Sequence, residues 1–175
     1  MQTCRARLDL ARILMTPTPL QPREFFDGDW KGEGELCYRG ILGLFWRPDR
    51  FRYTNTGRWV SQTRKELEDR LEFDSGLVMR LRFTVEIIDE RRLHVTSDDM
   101  PGGADILLSE HGFTYTPYVI RVRRGPFRIR LRCHDVTVVE EDGVIRDRIK
   151  MSWLGLPQGT LTMSITADRS RVQTS

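Results

Sequence analysis

Phe127-Arg128-Ile129-Arg130-Leu131-Arg132-Cys133-His134-Asp135 decides the fold of this chain. Phe127, Ile129, Leu131 and Cys133 fall on one side of an extended backbone; Arg128, Arg130, Arg132 and His134 fall on the other. The same two-residue rhythm runs from Trp30 to Ile165, with almost no helical period between. A chain made of strands with one apolar and one polar face must close into a barrel or fold into a sandwich to bury the apolar face.

The alternation predicts strands at about 29–38, 43–47, 49–60, 64–74, 77–88, 91–97, 104–109, 112–123, 126–139, 143–153 and 159–167, with 43–60 read as one bent strand or two. Tight turns are marked by Asp74-Ser75-Gly76, Asp89-Glu90, Glu110-His111-Gly112, Gly125-Pro126 and Glu141-Asp142-Gly143. Short links between long strands imply sequential antiparallel neighbours. An up-and-down barrel of about ten strands is the natural end state, because closure removes exposed edges. Residues 1–21 are expected to form an arm or short amphipathic helix, broken by Thr16-Pro17-Thr18-Pro19. The barrel domain is expected over 22–168, with 169–175 as a disordered tail.

At 175 residues the chain is long enough for one domain with a sizeable core. Basic and acidic residues number 28 and 25, a net charge of only +3, with signs mixed along stretches such as Arg64-Lys65-Glu66-Leu67-Glu68-Asp69-Arg70. No basic stripe stands out, and no nucleic-acid partner is expected. Only Lys31, Lys65 and Lys150 are lysines. The arginine excess suits carboxylate or phosphate ligands, and biased codon usage explains it equally. Cys4, Cys37 and Cys133 are odd in number and lack CxxC spacing, which argues against a disulfide framework or structural zinc. There is no apolar run of transmembrane length and no signal-peptide pattern, so a cytoplasmic location is expected. The oligomeric state is expected to be monomer or homodimer.

Gly28-Asp29-Trp30, at the start of the first strand, resembles the Gly-x-Trp opening of lipocalins and other calycins. A longer series resembles a bacterial family with a lipocalin-like barrel, the domain-of-unknown-function family DUF3833. It comprises Phe25-Phe26-Asp27-Gly28, Arg50-Phe51 with Gly57-x-Trp59, Leu67-x-Asp69, Phe73-x-Ser75-Gly76, Ser97-Asp98-Asp99, Tyr118 with Arg121-Val122, His134-Asp135, and Met151-Ser152 with Gly155. The resemblance spans about 22–167. The chain departs from the pattern at His134, where the family carries a second acid, and at Val136, where it carries Trp. The resemblance implies a calycin-like barrel and brings no established activity with it.

Within a barrel, the informative residues are polar ones on the apolar face. Asp69 keeps register with Leu67, Leu71 and Phe73. Asp135 continues from Cys133, and Asp147 falls with Ile145, Ile149, Met151 and Trp153. Three strands therefore direct an aspartate inward, where each needs a donor, a cation or water. Alternatively, a slipped register or a wet rim sends them outward. The Ser97–Asp105 stretch is the longest acid-rich connection and lacks the ligand spacing of a calcium loop. Among His94, His111 and His134, only His134 is a candidate haem ligand of the nitrobindin type, and its parity places it outside. No nucleophile elbow is present. Trp30, Trp46, Trp59, Trp153, Tyr115 and Tyr118 either line a pocket or pack the core.

These readings lead to an expected function: non-covalent binding of a small, partly apolar and possibly anionic molecule inside the barrel, without cofactor or metal. The expected ligand-binding residues are Trp59, Asp69, Arg80, Tyr118, Arg121, Asp135, Asp147 and Trp153. Arg80 and Arg121 are included because they resemble family positions, and Arg80 is taken as the distant cation for Asp135. The alternatives are an enzyme (isomerase, cyclase or hydrolase) using the inward carboxylates, a haem-binding barrel, and an interaction module with a solid core.

Overall fold

A computed structural model describes residues 22–124, 127–140 and 142–168. The expected N-terminal arm, the 169–175 tail and the Gly125-Pro126 turn lie outside these. The elements in order are α1 (Pro22–Phe25), β1 (Trp30–Tyr38), α2 (Gly40–Phe45), β2 (Asp49–Trp59), β3 (Arg64–Phe73), β4 (Val78–Ile87), β5 (Arg92–Ser97), β6 (Met100–Ser109), β7 (Gly112–Tyr115), β8 (Tyr118–Arg124), β9 (Phe127–Val139), β10 (Ile145–Trp153) and β11 (Leu156–Ala167).

The strands run antiparallel in the order β10-β11-β1-β2-β3-β4-β5-β6-β7-β9, and the β9–β10 ladder closes the ring. Ten strands make the barrel, and β8 pairs with β9 as an eleventh. Alternation is the reason. Phe51 and Tyr53 on β2, Leu71 and Phe73 on β3, and Leu131 and Cys133 on β9 are all buried, while their sequence neighbours Arg52, Arg130 and Arg132 are exposed. Buried apolar residues form two clusters, one around Leu93, Ile106 and Leu131, the other around Phe51, Phe73 and Ile165. On β1, Gly34 lets the wall approach closely: a Cβ there would lie 2.5 Å from the Phe51 ring and 2.4 Å from the Thr162 carbonyl oxygen.

Four expected boundaries change. The 43–47 stretch is not a strand; Gly40–Phe45 forms the helix α2, a continuous apolar run in which neither period is visible. The acid-rich connection is mostly strand, because β5 turns at Asp98-Asp99 straight into β6. The last strand begins at Leu156, since Leu154 and Gly155 alone make the turn. The expected 112–123 strand is interrupted at Thr116-Pro117, where proline offers no N–H to the ladder. Among the described residues no helix is long and apolar enough to cross a membrane.

Candidate functional site: carboxyl groups in the barrel cavity

The ring encloses a cavity of about 180 Å³. Its wall is mostly apolar, with Leu67, Leu81, Phe83, Val85, Ile149 and Met163 among the lining residues. An aromatic row from Phe26 through Phe113, Tyr115 and Tyr118 runs along one side, with successive ring centroids 5.7–6.1 Å apart.

Asp69, Asp135 and Asp147 all line this cavity. Asp69 on β3 stands opposite Asn55 on β2. Its Oδ1 accepts a hydrogen bond from Asn55 Nδ2 at 2.6 Å and from the Tyr53 hydroxyl at 2.9 Å. Asp147 on β10 stands opposite Thr137 on β9, whose hydroxyl donates to it at 3.0 Å. Asp135 is two residues before Thr137 on the same face, diagonal to Asp147. The Tyr118 hydroxyl donates to Asp135 Oδ2 at 3.3 Å, and Asp135 Oδ1 is buried with no donor against it.

Removal from water dominates the electrostatics. Burial, opposed by its two hydrogen bonds, brings Asp69 up to about 6 from an ordinary 3.8; the Asp147 charge adds to the rise. Burial pushes Asp135 well above the carboxylate range, reinforced by the charge of Asp147 and a hydrogen bond shared with it. Asp147 is raised less, because the same bond and Thr137 stabilise its ionised form. Asp135 and Asp147 thus form a coupled pair in which Asp135 holds a proton more tightly than Asp147. Burial and these carboxylates hold Tyr53, Tyr115 and Tyr118 as phenols. Burial also pushes Cys133 up to about 12, so its sulfur is an unreactive thiol.

The structure brings Asp69, Tyr118, Asp135 and Asp147 together and places the other four expected residues elsewhere. Arg80 alternates with the cavity-side Leu81 and is exposed, so it is not the cation for Asp135. Arg121 is likewise outside, opposite Arg130. Trp153 ends β10 and is 36% exposed. Trp59 sits near one rim, with the Arg23 guanidinium 4.9 Å and Lys65 Nζ 5.8 Å from its ring centroid. His134 is exposed on the outer face, so it offers no axial ligand to the interior. His94 pairs with Asp105 at 2.7 Å, with both side chains over a third exposed. Among the described residues, no group of three or more His, Cys, Asp or Glu side chains could hold a metal ion.

The series of motifs from Phe25-Phe26-Asp27-Gly28 to Met151-Ser152 carried the likeness to DUF3833, and a model of that family of proteins of unknown function matches residues 1–167. The chain belongs to the DUF3833 family. No curated protein matches it. Among solved structures, the S-type phycobiliprotein lyase CPES from Guillardia theta shares the fold. The TM-score is 0.51 at 10% identity, over 85% of this chain and 91% of that one.

Sequence reasoning missed several working parts of this DUF3833 barrel, namely Tyr53, Asn55 and Thr137, which hold the carboxylates. The signal was present: Phe51, Tyr53 and Asn55 share one parity on β2, as do Asp135 and Thr137 on β9. Lys65 was missed because its residue type reads as surface, although its parity with Leu67 places it inward, where it is 1% exposed.

Proposed function

We propose that the barrel binds a small, partly apolar molecule non-covalently in its interior, anchored by the Asp135–Asp147 pair and Asp69. The observation that carries this reading is Asp135 in the cavity wall: no protein N–H or hydroxyl reaches its buried Oδ1, and its link to Asp147 is a proton shared between two carboxyls. A ligand N–H or O–H supplies what the wall lacks. The fold shared with a phycobiliprotein lyase supports a barrel whose interior is put to use.

Charge corrects one part of the expectation. The charged side chains lining the cavity are carboxyls, and Arg80 and Arg121 stand outside. The fitting ligand is a hydrogen-bond donor or a protonated nitrogen, not an anion. Size narrows it further. A dry cavity of about 150 Å³ accepts benzene, and drug-sized ligands need about 300–1,000 Å³. At about 180 Å³, this one suits a single ring or a short branched chain. The cavity also weighs against a solidly filled interaction module.

A second reading rests on the pair itself. Asp135, which holds a proton the more tightly, and Asp147 are two carboxyls within one hydrogen bond, a combination suited to proton transfer in an isomerisation, cyclisation or hydrolysis.

Native mass spectrometry of protein purified from its own host tests the main reading. A retained small molecule that disappears in Asp135→Asn is the expected result. An empty protein that also shows no thermal shift with a panel of small amines, amides and alcohols overturns it. Turnover of a panel member, rather than retention, supports the second reading.

A further inference from the structure

Arginines from two strands face one another on the outside of the barrel. Arg121 lies directly opposite Arg130, and Arg123 directly opposite Arg128. All four are exposed, and none is in an ion pair among the described residues. Like charges opposed across a ladder work against strand pairing. Arg132 and, on β10, Lys150 extend the strip. The expectation that no basic stripe exists therefore fails. It weighed charge along the chain, whereas the strip is assembled across strands.

The strip stays cationic for a reason visible in the sequence. Residues 36–48, 112–134 and 148–167 contain no aspartate or glutamate. The fold lays these segments side by side as α2, β8, β9, β10 and β11. The Asp98-Asp99 turn borders the strip, where the Asp99 carbonyl accepts from Arg121 N at 2.7 Å.

Exposed apolar side chains project from the same end. Just beyond the Ser152–Arg132 pair, the β10–β11 hairpin carries Leu154, 85% exposed, and Leu156, 58% exposed. Beside it, α2 is tied to β11 by Arg39 N donating to the Gln158 carbonyl at 2.6 Å and Leu42 N donating to Gln158 Oε1 at 3.2 Å. Only Leu42 of α2 is buried; Leu44 and Phe45 are 80% and 74% exposed. The hairpin turn is itself informative. Leu154 has φ 51° and Gly155 φ 81°. A two-residue turn with both φ positive is where Asn-Gly is strongly favoured. A leucine there strains the backbone while its side chain stays exposed.

We propose that this end of the barrel docks on an anionic lipid bilayer. Leu44, Phe45, Leu154 and Leu156 enter the interface, and the arginine strip with Lys150 lies against lipid phosphates. Apolar tips fringed by cations have the chemistry of interfacial anchoring, with each part strengthening the other. A nucleic acid would engage the arginines and leave the aliphatic tips without a role.

Vesicle co-sedimentation of the full chain tests this, comparing pure phosphatidylcholine with equal parts phosphatidylcholine and phosphatidylglycerol. Binding to the anionic vesicles alone, weakened by high salt, is expected. Leu154→Asn relieves the turn, so its melting temperature should hold or rise while partitioning falls roughly tenfold, as the loss of a buried leucine predicts. Arg123→Gln and Arg130→Gln each remove one member of a repelling pair, so folding should hold while partitioning falls roughly fivefold per arginine. Three outcomes overturn the proposal: no vesicle binding, vesicle binding unchanged by these variants, or binding to a DNA or RNA oligonucleotide in place of vesicles. Self-association that Leu154→Asn abolishes, with no vesicle binding, overturns it too and assigns the face to a second copy.

Discussion

Tyr115 and Tyr118 both line the cavity although they are three residues apart, a spacing that strict alternation forbids. The ladder explains it. β7 pairs with β9 up to Thr114 opposite Val136, and β8 resumes at Tyr118 opposite Cys133. Three residues, 115–117, therefore face two, 134–135. This extra residue, at a proline unable to bond the ladder, turns Tyr118 back inward to donate to Asp135. The bulge makes the contact between Tyr118 and Asp135 direct.

Asp135→Asn should leave the fold standing and remove ligand retention. Burial raises the proton affinity of the native carboxyl, and Asn mimics its neutral form. Asn keeps an acceptor for Tyr118 and offers Asp147 a donor, so stability should change by no more than about 1 kcal/mol. What is lost is the shared proton and the acceptor Oδ1. Urea unfolding and native mass spectrometry on the same samples separate the two effects. A variant that unfolds easily, or one that retains its ligand fully, contradicts the assignment.

Asp69 makes stability depend on pH in a stated direction. Its carboxyl titrates at about 6 in the fold against an ordinary 3.8. Between those values the folded chain holds a proton that the unfolded chain has released. Stability from this residue is therefore complete below about 4 and is lost as pH rises towards 6. Two units correspond to as much as roughly 3 kcal/mol. Asp69→Asn should flatten this part of the profile, read as the difference in urea midpoints between variant and parent from pH 4 to 7. Parallel profiles would show that Asp69 is not protonated in the fold.

How much of this was legible depended on whether a residue's position or its partner had to be known. Parity alone placed Asp69, Asp135 and Asp147 inward, because a period of two fixes the face of every residue in a strand once its neighbours are assigned. Parity also argued against Arg80, which alternates with Met79 and Leu81; its inclusion came from resemblance, not from pattern. Gly40–Phe45 was illegible because a short apolar run has no period to read, and tertiary contact through Leu42 and Gln158 decides its helix. The arginine strip was equally hidden, since opposition across β8 and β9 is a property of register rather than of local sequence.

Gly34→Ala and Gly76→Ala should differ sharply. A methyl group on Gly34 meets the Thr162 carbonyl at 2.4 Å, the Phe51 ring at 2.5 Å and Met163 Cβ at 2.8 Å. Two of these are ring or backbone atoms packed in the wall, so a loss of roughly 3 kcal/mol is expected. Gly76 has open space around it and carries only the penalty of its φ of +85°, about 1–2 kcal/mol. Thermal denaturation of the pair decides it. Equal losses would mean that β1 does not approach its neighbours as closely as described.

Lys65 links the entry segment to the cavity, and its removal should loosen both. Its ammonium group is buried and donates to the carbonyls of Phe26 and Gly28, the latter at 3.2 Å. Burial lowers its proton affinity, opposed by the charges of Asp27 and Asp29. The clamp fixes Phe26, whose ring lines the cavity beside Phe113. Lys65→Met fills similar space but leaves both carbonyls without their charged donor, a loss of roughly 2–3 kcal/mol. Hydrogen exchange gives the more specific readout. Amides over 26–30 should lose more protection in the variant than those of β9, whose protection falls only with global stability. Protection that falls equally everywhere would make Lys65 an ordinary stabilising residue; protection lost first at 26–30 makes it the latch that keeps Phe26 over the cavity.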